Sequence, residues 1–306
     1  MSDLQYQLLP NRPRDEADVL VLPVPHELTV SYKPGTRNGP EALLDASSQL
    51  EYYDEDADWS PFLHMGVAVL PPLEKQLYEN AGDYHQRLTR VAGELPSSAL
   101  LLAVGGEHSV TASLVAGRMS MPGTVVVLDA HADLRERFEG SEYSHACPMH
   151  HVRRAGHRLV MAGVRSLYED EARRVDADPG IECYRDRELR RPDRWQTLLE
   201  TLQGLEGPVW LTVDMDVFTP AEVGGVGTPQ PGGLDWYRVL ELVEAVIDNP
   251  AVDLRGCDIM ELIPEPSCVS DMVAAKLSQK MISRWGLRHG YRERAAGGSQ
   301  TEVDYE

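Results

Sequence analysis

Between Val125 and Asp133 the chain reads Val-Val-Val-Leu-Asp-Ala-His-Ala-Asp, an apolar run that ends in Asp129, His131 and Asp133, each two residues from the next. Alternate side chains of an extended segment point the same way, so this spacing brings two carboxylates and an imidazole to one spot. Those groups in that arrangement suit a metal ion. Two further apolar runs end alike: 100–104 leads into Gly105-Gly106-Glu107-His108, and 209–213 leads into Asp214-Met215-Asp216. Together His108, Asp129, His131, Asp133, Asp214 and Asp216 could hold two cations about 3.5–4 Å apart. Oxygen donors outnumber nitrogen donors and no thiolate is among them, which favours Mn2+ over zinc. Two such cations would lower the pKa of a shared water, so the expected chemistry is hydrolytic.

Eight short apolar runs must position these residues, at 19–25, 66–70, 99–104, 124–128, 159–164, 181–184, 209–213 and 254–259. Most are too short for helices. Several are rich in Val and Leu without polar alternation, the pattern of strands buried on both faces. Between them, segments 40–50, 83–93, 194–202, 234–247 and 272–285 carry apolar residues at three- and four-residue spacing, as amphipathic helices do. Alternating strands and helices predict an α/β fold with a parallel sheet covered on both faces. In such a fold ligands bind outside the carboxyl ends of the strands, where all three clusters fall. The run 254–259 delivers Glu261 to the same edge. Gly105 and Gly106 are expected where backbone must approach closely. The loop Gly224-Gly225-Val226-Gly227-Thr228-Pro229 lacks the Gly-Lys-Ser/Thr ending of a phosphate loop and reads as a pocket wall. With no linker or repeat in sight, residues 1–291 are expected to form a single domain and 292–306 a mobile acidic tail.

The 306 residues, 42% of them hydrophobic, suffice for one large core. The 49 acidic and 29 basic residues give a net charge of -20. That balance argues against nucleic acid and against an anionic membrane as partners. It would attract a cationic substrate, although solubility explains it equally well. Cys147, Cys183, Cys257 and Cys268 are far apart and form no Cys-x-x-Cys pair. Residues 1–18 are polar and acidic, unlike a secretory signal, and no apolar run reaches 18 residues. A cytoplasmic protein is expected.

Taken together, the motifs resemble those of the ureohydrolase family, the arginase and agmatinase group of binuclear manganese enzymes. The resemblance rests on Gly-Gly-Glu-His at 105–108, Asp-Ala-His-Ala-Asp at 129–133, Ser-His-Ala at 144–146, Asp-Met-Asp at 214–216 and Glu261. It extends to Ser31-Tyr-Lys-Pro-Gly-Thr-Arg-Asn-Gly-Pro-Glu41 and Gly227-Thr-Pro229. It implies a three-layer α/β/α fold with an eight-stranded, mostly parallel sheet, two Mn2+ per subunit on the six residues named above, and a homotrimer or homohexamer. It also implies roles: His145 as a proton shuttle, Glu261 as the carboxylate that grips a guanidinium, and Asp133 as the group that passes a proton to the departing amine. His150 and His151 read as surface residues. Glu107 stands where many members carry Asp, Thr219 replaces an acid, and Gly224 stands near a usual proline; none is an expected ligand, so pocket shape rather than activity is affected.

The implied activity is hydrolysis of a guanidino compound to urea and an amine. A small cationic substrate is expected, agmatine (giving putrescine) or aminopropylagmatine. Where arginase-like members usually place Asn to bind the α-amino acid end, this chain has Arg135. The expectation is that Glu136 or Glu139 holds Arg135 and turns it away, while Glu136, Glu139 and Glu142 attract a terminal amine. Were Arg135 instead to bind a carboxylate, guanidinobutyrate or formimidoylglutamate would fit; arginase is a further alternative. From other classes, a deacetylase-like amide hydrolase or an inactive metal-binding protein competes, and the complete double ligand set with Glu261 argues against both.

Overall fold

The computed structural model describes residues 4–297. Its centre is one eight-stranded sheet built from β1 (Val19–Val24), β2 (Val67–Val69), β3 (Leu100–Gly105), β4 (Thr124–Leu128), β5 (Arg158–Val164), β6 (Ile181–Arg185), β7 (Gly207–Asp214) and β8 (Val252–Met260). The strand order is β2-β1-β3-β8-β7-β4-β5-β6, and every neighbouring pair is parallel. All eight expected runs are strands, and the mostly parallel sheet is wholly parallel.

The sheet is covered on both faces because its strands have no polar side to offer. In β1, Val19 and Val21 enter one hydrophobic cluster while Leu20, Leu22 and Val24 enter the other. The first face is covered by α1 (Gly39–Ser47), and the second by α2 (Ala81–Gly93), α3 (Thr111–Arg118) and α4 (Pro148–Arg154). Beyond α5 (Glu169–Ala177) and α6 (Asp186–Leu189), the helices α7 (Pro192–Gln203), α8 (Trp236–Ile247) and α9 (Val269–Arg288) complete the first face. Each buried Val or Leu contributes about 1.5–3 kcal/mol relative to exposure, so the two clusters hold the layers together. Among the described residues several helices begin at a side-chain cap or a Pro: Asn80 accepts from the Asp83 N–H, Asp235 from the Arg238 N–H, and Pro148 and Pro192 open α4 and α7.

The tail departs from expectation where it begins. A last helix, α10 (Tyr291–Gly297), takes up its first part, with Tyr291 donating to Asp18 Oδ1 at 2.6 Å and Arg292 to the Ala57 carbonyl at 3.1 Å. The remainder of the expected tail, 298–306, lies outside the described residues. Among the described residues no helix is long and apolar enough to cross a membrane.

Candidate active site

The four adjacent central strands β3, β8, β7 and β4 deliver, at their carboxyl ends, His108, Glu261, Asp214 with Asp216, and Asp129 with His131 and Asp133. In-register pairing aligns these ends: Val104 lies beside Ile259, Asp214 beside Met260, and Leu128 beside Val213. The close backbone approach expected at the first of these turns is present. A Cβ on Gly106 would lie 1.9 Å from the His26 carbonyl oxygen, and one on Gly105 would lie 1.9 Å from Met260 Sδ.

His108 Nδ1 lies 3.2 Å from Asp129 Oδ2, 3.3 Å from Asp214 Oδ2 and 3.4 Å from Asp133 Oδ2. His131 Nδ1 lies 2.8 Å from Asp216 Oδ2 and 3.7 Å from Asp129 Oδ1. Two triplets result, His108–Asp129–Asp133 and Asp129–His131–Asp216, which share Asp129 and are each compact enough to ligate one ion. The structure thus brings together all six residues expected at a metal centre.

The donor set fits cations better than it fits itself. One imidazole nitrogen cannot serve three carboxylates, and His108 Nδ1 and Asp129 Oδ2 are buried without a hydrogen-bond partner. Protonation reflects the same crowding. Burial, reinforced by the charge of Asp129, pushes Asp133 up to about 7, and burial with Asp216 and Asp129 pushes Asp214 well above the carboxylate range. Burial alone would depress the histidines, but their carboxylate partners win: His108 is raised and His131 rises to about 12. Divalent cations relieve both imbalances at once.

The other nitrogen of His108 is already committed. Nε2 meets Thr212 Oγ1 at 2.8 Å, and the Thr212 hydroxyl donates to Asp258 Oδ1. Asp258 also accepts from Trp210 Nε1 at 2.7 Å and from Thr111 Oγ1 at 3.0 Å. This chain orients His108 with Nδ1 toward the carboxylates. Sequence reasoning gave Thr212 and Asp258 no role. The available signal was Thr212 standing two residues before Asp214 on one strand face of an otherwise apolar run.

Asp133 (φ 50°) and Glu261 (φ 64°) occupy the left-handed backbone region, costly for side-chain-bearing residues and tolerated where neighbours over-determine it. The Glu261 N–H donates to the Gly106 carbonyl at 2.9 Å, and its Oε1 accepts the His108 N–H at 2.7 Å. Burial pushes Glu261 up to about 8. Its carboxylate lines a cavity of about 340 Å³ together with His131, Asp133, Asp214, Asp216 and His145. His145 contacts Thr29 and Ser31 rather than the carboxylate–histidine cluster, and burial holds it below the usual histidine value. Gly227 and Thr228 form part of the wall, as expected of their loop, whereas Gly224 and Gly225 pack against Glu265 and Ile263.

Arg135 corrects one expectation. Its guanidinium lies between the Phe138 and Tyr168 rings, 4.6 and 4.8 Å from their centroids, with Nε 3.9 Å from Glu171 Oε2. Neither Glu136 nor Glu139 holds it, and it lines the cavity instead of turning away. Two aromatic faces and a nearly buried carboxylate make a better seat than solvated loop carboxylates. Glu136, Glu139 and Glu142 are absent from the cavity wall. His150 and His151 are likewise engaged elsewhere, with Arg174 and with the Glu142 carbonyl.

Fold and site together define a class: a parallel α/β protein whose central strands converge on a carboxylate–histidine centre suited to two divalent cations. A family model described as Arginase family matches residues 17–283, and the chain belongs to that family. It is similar to a Synechocystis sp. protein named N(1)-aminopropylagmatine ureohydrolase, with 37% identity over 89% of this chain and 90% of the other. It is also similar to a Pyrococcus horikoshii protein named agmatinase, with 33% identity over 83% and 87%. A solved structure, the agmatine ureohydrolase of Thermoplasma volcanium, superimposes with a TM-score of 0.80 over 96% of both chains at 24% identity, a likeness of fold.

Proposed function

We propose that this protein hydrolyses a small cationic guanidino compound to urea and an amine, with aminopropylagmatine or agmatine as substrate and two Mn2+ per subunit. The observation that carries the reading is Glu261, a half-buried carboxylate on the cavity wall with one oxygen tied to the His108 N–H and the other free to receive a guanidinium. The names of the relatives support the choice of substrate.

His108, Asp129, Asp133, Asp214, His131 and Asp216 would hold the ions, Asp129 serving both. When bound, the cations supply the acidity that makes water a nucleophile near neutral pH. Glu261 binds the guanidinium through charge-assisted hydrogen bonds and orients its carbon toward the ligand cluster. Asp133 would hand a proton to the departing amine, and His145 would exchange protons with the amine or with solvent. Phe138 and Tyr168 offer apolar walls to a polymethylene tail. The charge of Arg135, seated between those rings and facing Glu171, is offset at the point where an ammonium would pass. The proposal includes the trimer or hexamer implied by the resemblance, which sedimentation would check.

The deciding measurement is kcat/KM for urea release, with added Mn2+, from aminopropylagmatine, agmatine, arginine, guanidinobutyrate and formimidoylglutamate. The two cationic, decarboxylated compounds should lead. A preference for a carboxylate-bearing acid that disappears in Arg135→Ala would overturn the substrate assignment.

A further inference from the structure

His145 is the one proposed proton-transfer group that no expected metal ligand orients, and what orients it is a partly buried chain of hydrogen bonds from a distant part of the sequence. Its Nδ1 lies 3.1 Å from Thr29 Oγ1, and its backbone N–H donates to the same oxygen at 3.0 Å. Thr29 Oγ1 in turn lies 3.2 Å from Glu107 Oε2, which also accepts the Leu28 and Thr29 backbone N–H groups, each at 2.8 Å. Glu107 Oε1 accepts from Ser109 Oγ at 2.6 Å. On the far side of the imidazole, Nε2 lies 3.4 Å from Ser31 Oγ, and both residues line the cavity.

Counting protons along this chain leaves one arrangement. Glu107 Oε2 receives two backbone N–H groups and has no room for a proton of its own, so its third contact must also be a donor. The single hydroxyl proton of Thr29 therefore points to Glu107; pointing it at His145 would set two oxygen lone pairs against each other and give up a charge-assisted bond. With its proton spent, Oγ1 can only accept from Nδ1. We infer that Glu107 and Thr29 are positioning residues that hold neutral His145 as the Nδ1–H tautomer, leaving Nε2 as its basic nitrogen toward Ser31 and the cavity. Family resemblance marks Glu107 as an acid beside an expected ligand; the geometry gives its carboxylate a separate task, at Thr29 and through it at His145. The catalytic use of that tautomer rests on the role proposed above for His145.

Two readouts test the inference. The first is the nitrogen-15 spectrum of histidine-labelled protein loaded with Zn2+, a diamagnetic ion, with the His145 signals assigned by their loss in His145→Gln. The wild-type protein should show the Nδ1–H pattern for His145. Thr29→Val removes the acceptor, and Glu107→Gln introduces an amide that can donate to Oγ1 and release the Thr29 proton toward Nδ1; both should shift His145 toward the Nε2–H form. The second readout is steady-state kinetics with Mn2+, where Thr29→Val should lower kcat about ten- to a hundredfold, with KM within about threefold of wild type. Thr29→Ser, which restores the hydroxyl, should recover most of that kcat. An Nε2–H wild-type signal, unchanged kcat in Thr29→Val, or equal impairment in Thr29→Ser and Thr29→Val would overturn the inference. Absence of urea from every guanidino compound would instead overturn the proposed function, while the tautomer measurement would still decide the hydrogen-bond chain.

Discussion

Asp129 sits at the intersection of the two ligand triplets, one oxygen toward each histidine. Asp129→Asn removes the charge that two ions would share, so metal analysis should find most bound metal lost and urea release lost with it. A variant that kept two ions would show that Asp129 does not bridge. Glu261→Gln should behave differently. The amide keeps the shape and leaves an oxygen for the His108 N–H, so metal content should stay near wild type. The charge-assisted bonds to a guanidinium are lost, about 3 kcal/mol, or about a hundredfold in kcat/KM. If kcat/KM held steady, Glu261 would be a backbone clamp for His108 and nothing more.

At the scale of elements, α9 anchors the segment that follows Glu261, and one buried ion cluster ties it to the 51–59 loop. Lys280, with 1% of its side chain exposed, reaches Asp54 Oδ1 and Asp56 Oδ2, each at 2.6 Å, and Asp54 is fully buried. Removing one partner of a buried pair leaves an uncompensated charge. Lys280→Met should therefore lower unfolding free energy by about 3–5 kcal/mol, read as a drop in the denaturant midpoint. A shift below about 1 kcal/mol would mean that water reaches Asp54 in solution. The elements that sequence patterning passed over are instructive here. In α5 only Glu171 is buried, so no apolar stripe announces it. Its first turn is instead acidic, and Glu171 closes a capping box by accepting the Tyr168 N–H at 2.9 Å. The short helices α3, α4 and α6 span too few turns for periodicity to stand out.

For the molecule as a whole, the centre concentrates four buried carboxylates at the base of the cavity, so cation binding and stability are linked. Chelation should lower the melting temperature, by an amount corresponding to about 2.7 kcal/mol for each ion lost when the wild-type protein is measured at cation concentrations near 100 Kd. The far-ultraviolet circular dichroism should be unchanged, because two apolar clusters, not the ions, hold the sheet. Restoring Mn2+ should restore the melting temperature and urea release together. A melting temperature indifferent to chelation would indicate that the carboxylates find other compensation, such as the protonation to which Asp133 and Asp214 are already inclined.

What the sequence determined by itself was local and periodic. Runs such as 124–128 are too short and too apolar to be anything but strands buried on both faces, and the Asp and His residues that end them mark the cluster, although strict alternation lapses past the strand ends, where Asp133 is left-handed and Asp216 lies in a 3-10 turn. The eight strands, the layered class and the six carboxylates and histidines that cluster were legible from those runs. Strand order was not, because it depends on pairing between segments far apart: β8 enters between β3 and β7, and only that insertion brings Glu261 and Asp258 beside His108. Nor could local pattern reveal that Thr29 would stand between Glu107 and His145, across separations of 78 and 116 residues. Arg135 makes the same point from the other side. Its nearest acids in sequence suggested a partner, but the aromatic rings and Glu171 that enclose it are assembled by the packing of α5 against the loop after β4, where a guanidinium finds two faces and a charge that no neighbouring loop residue offers.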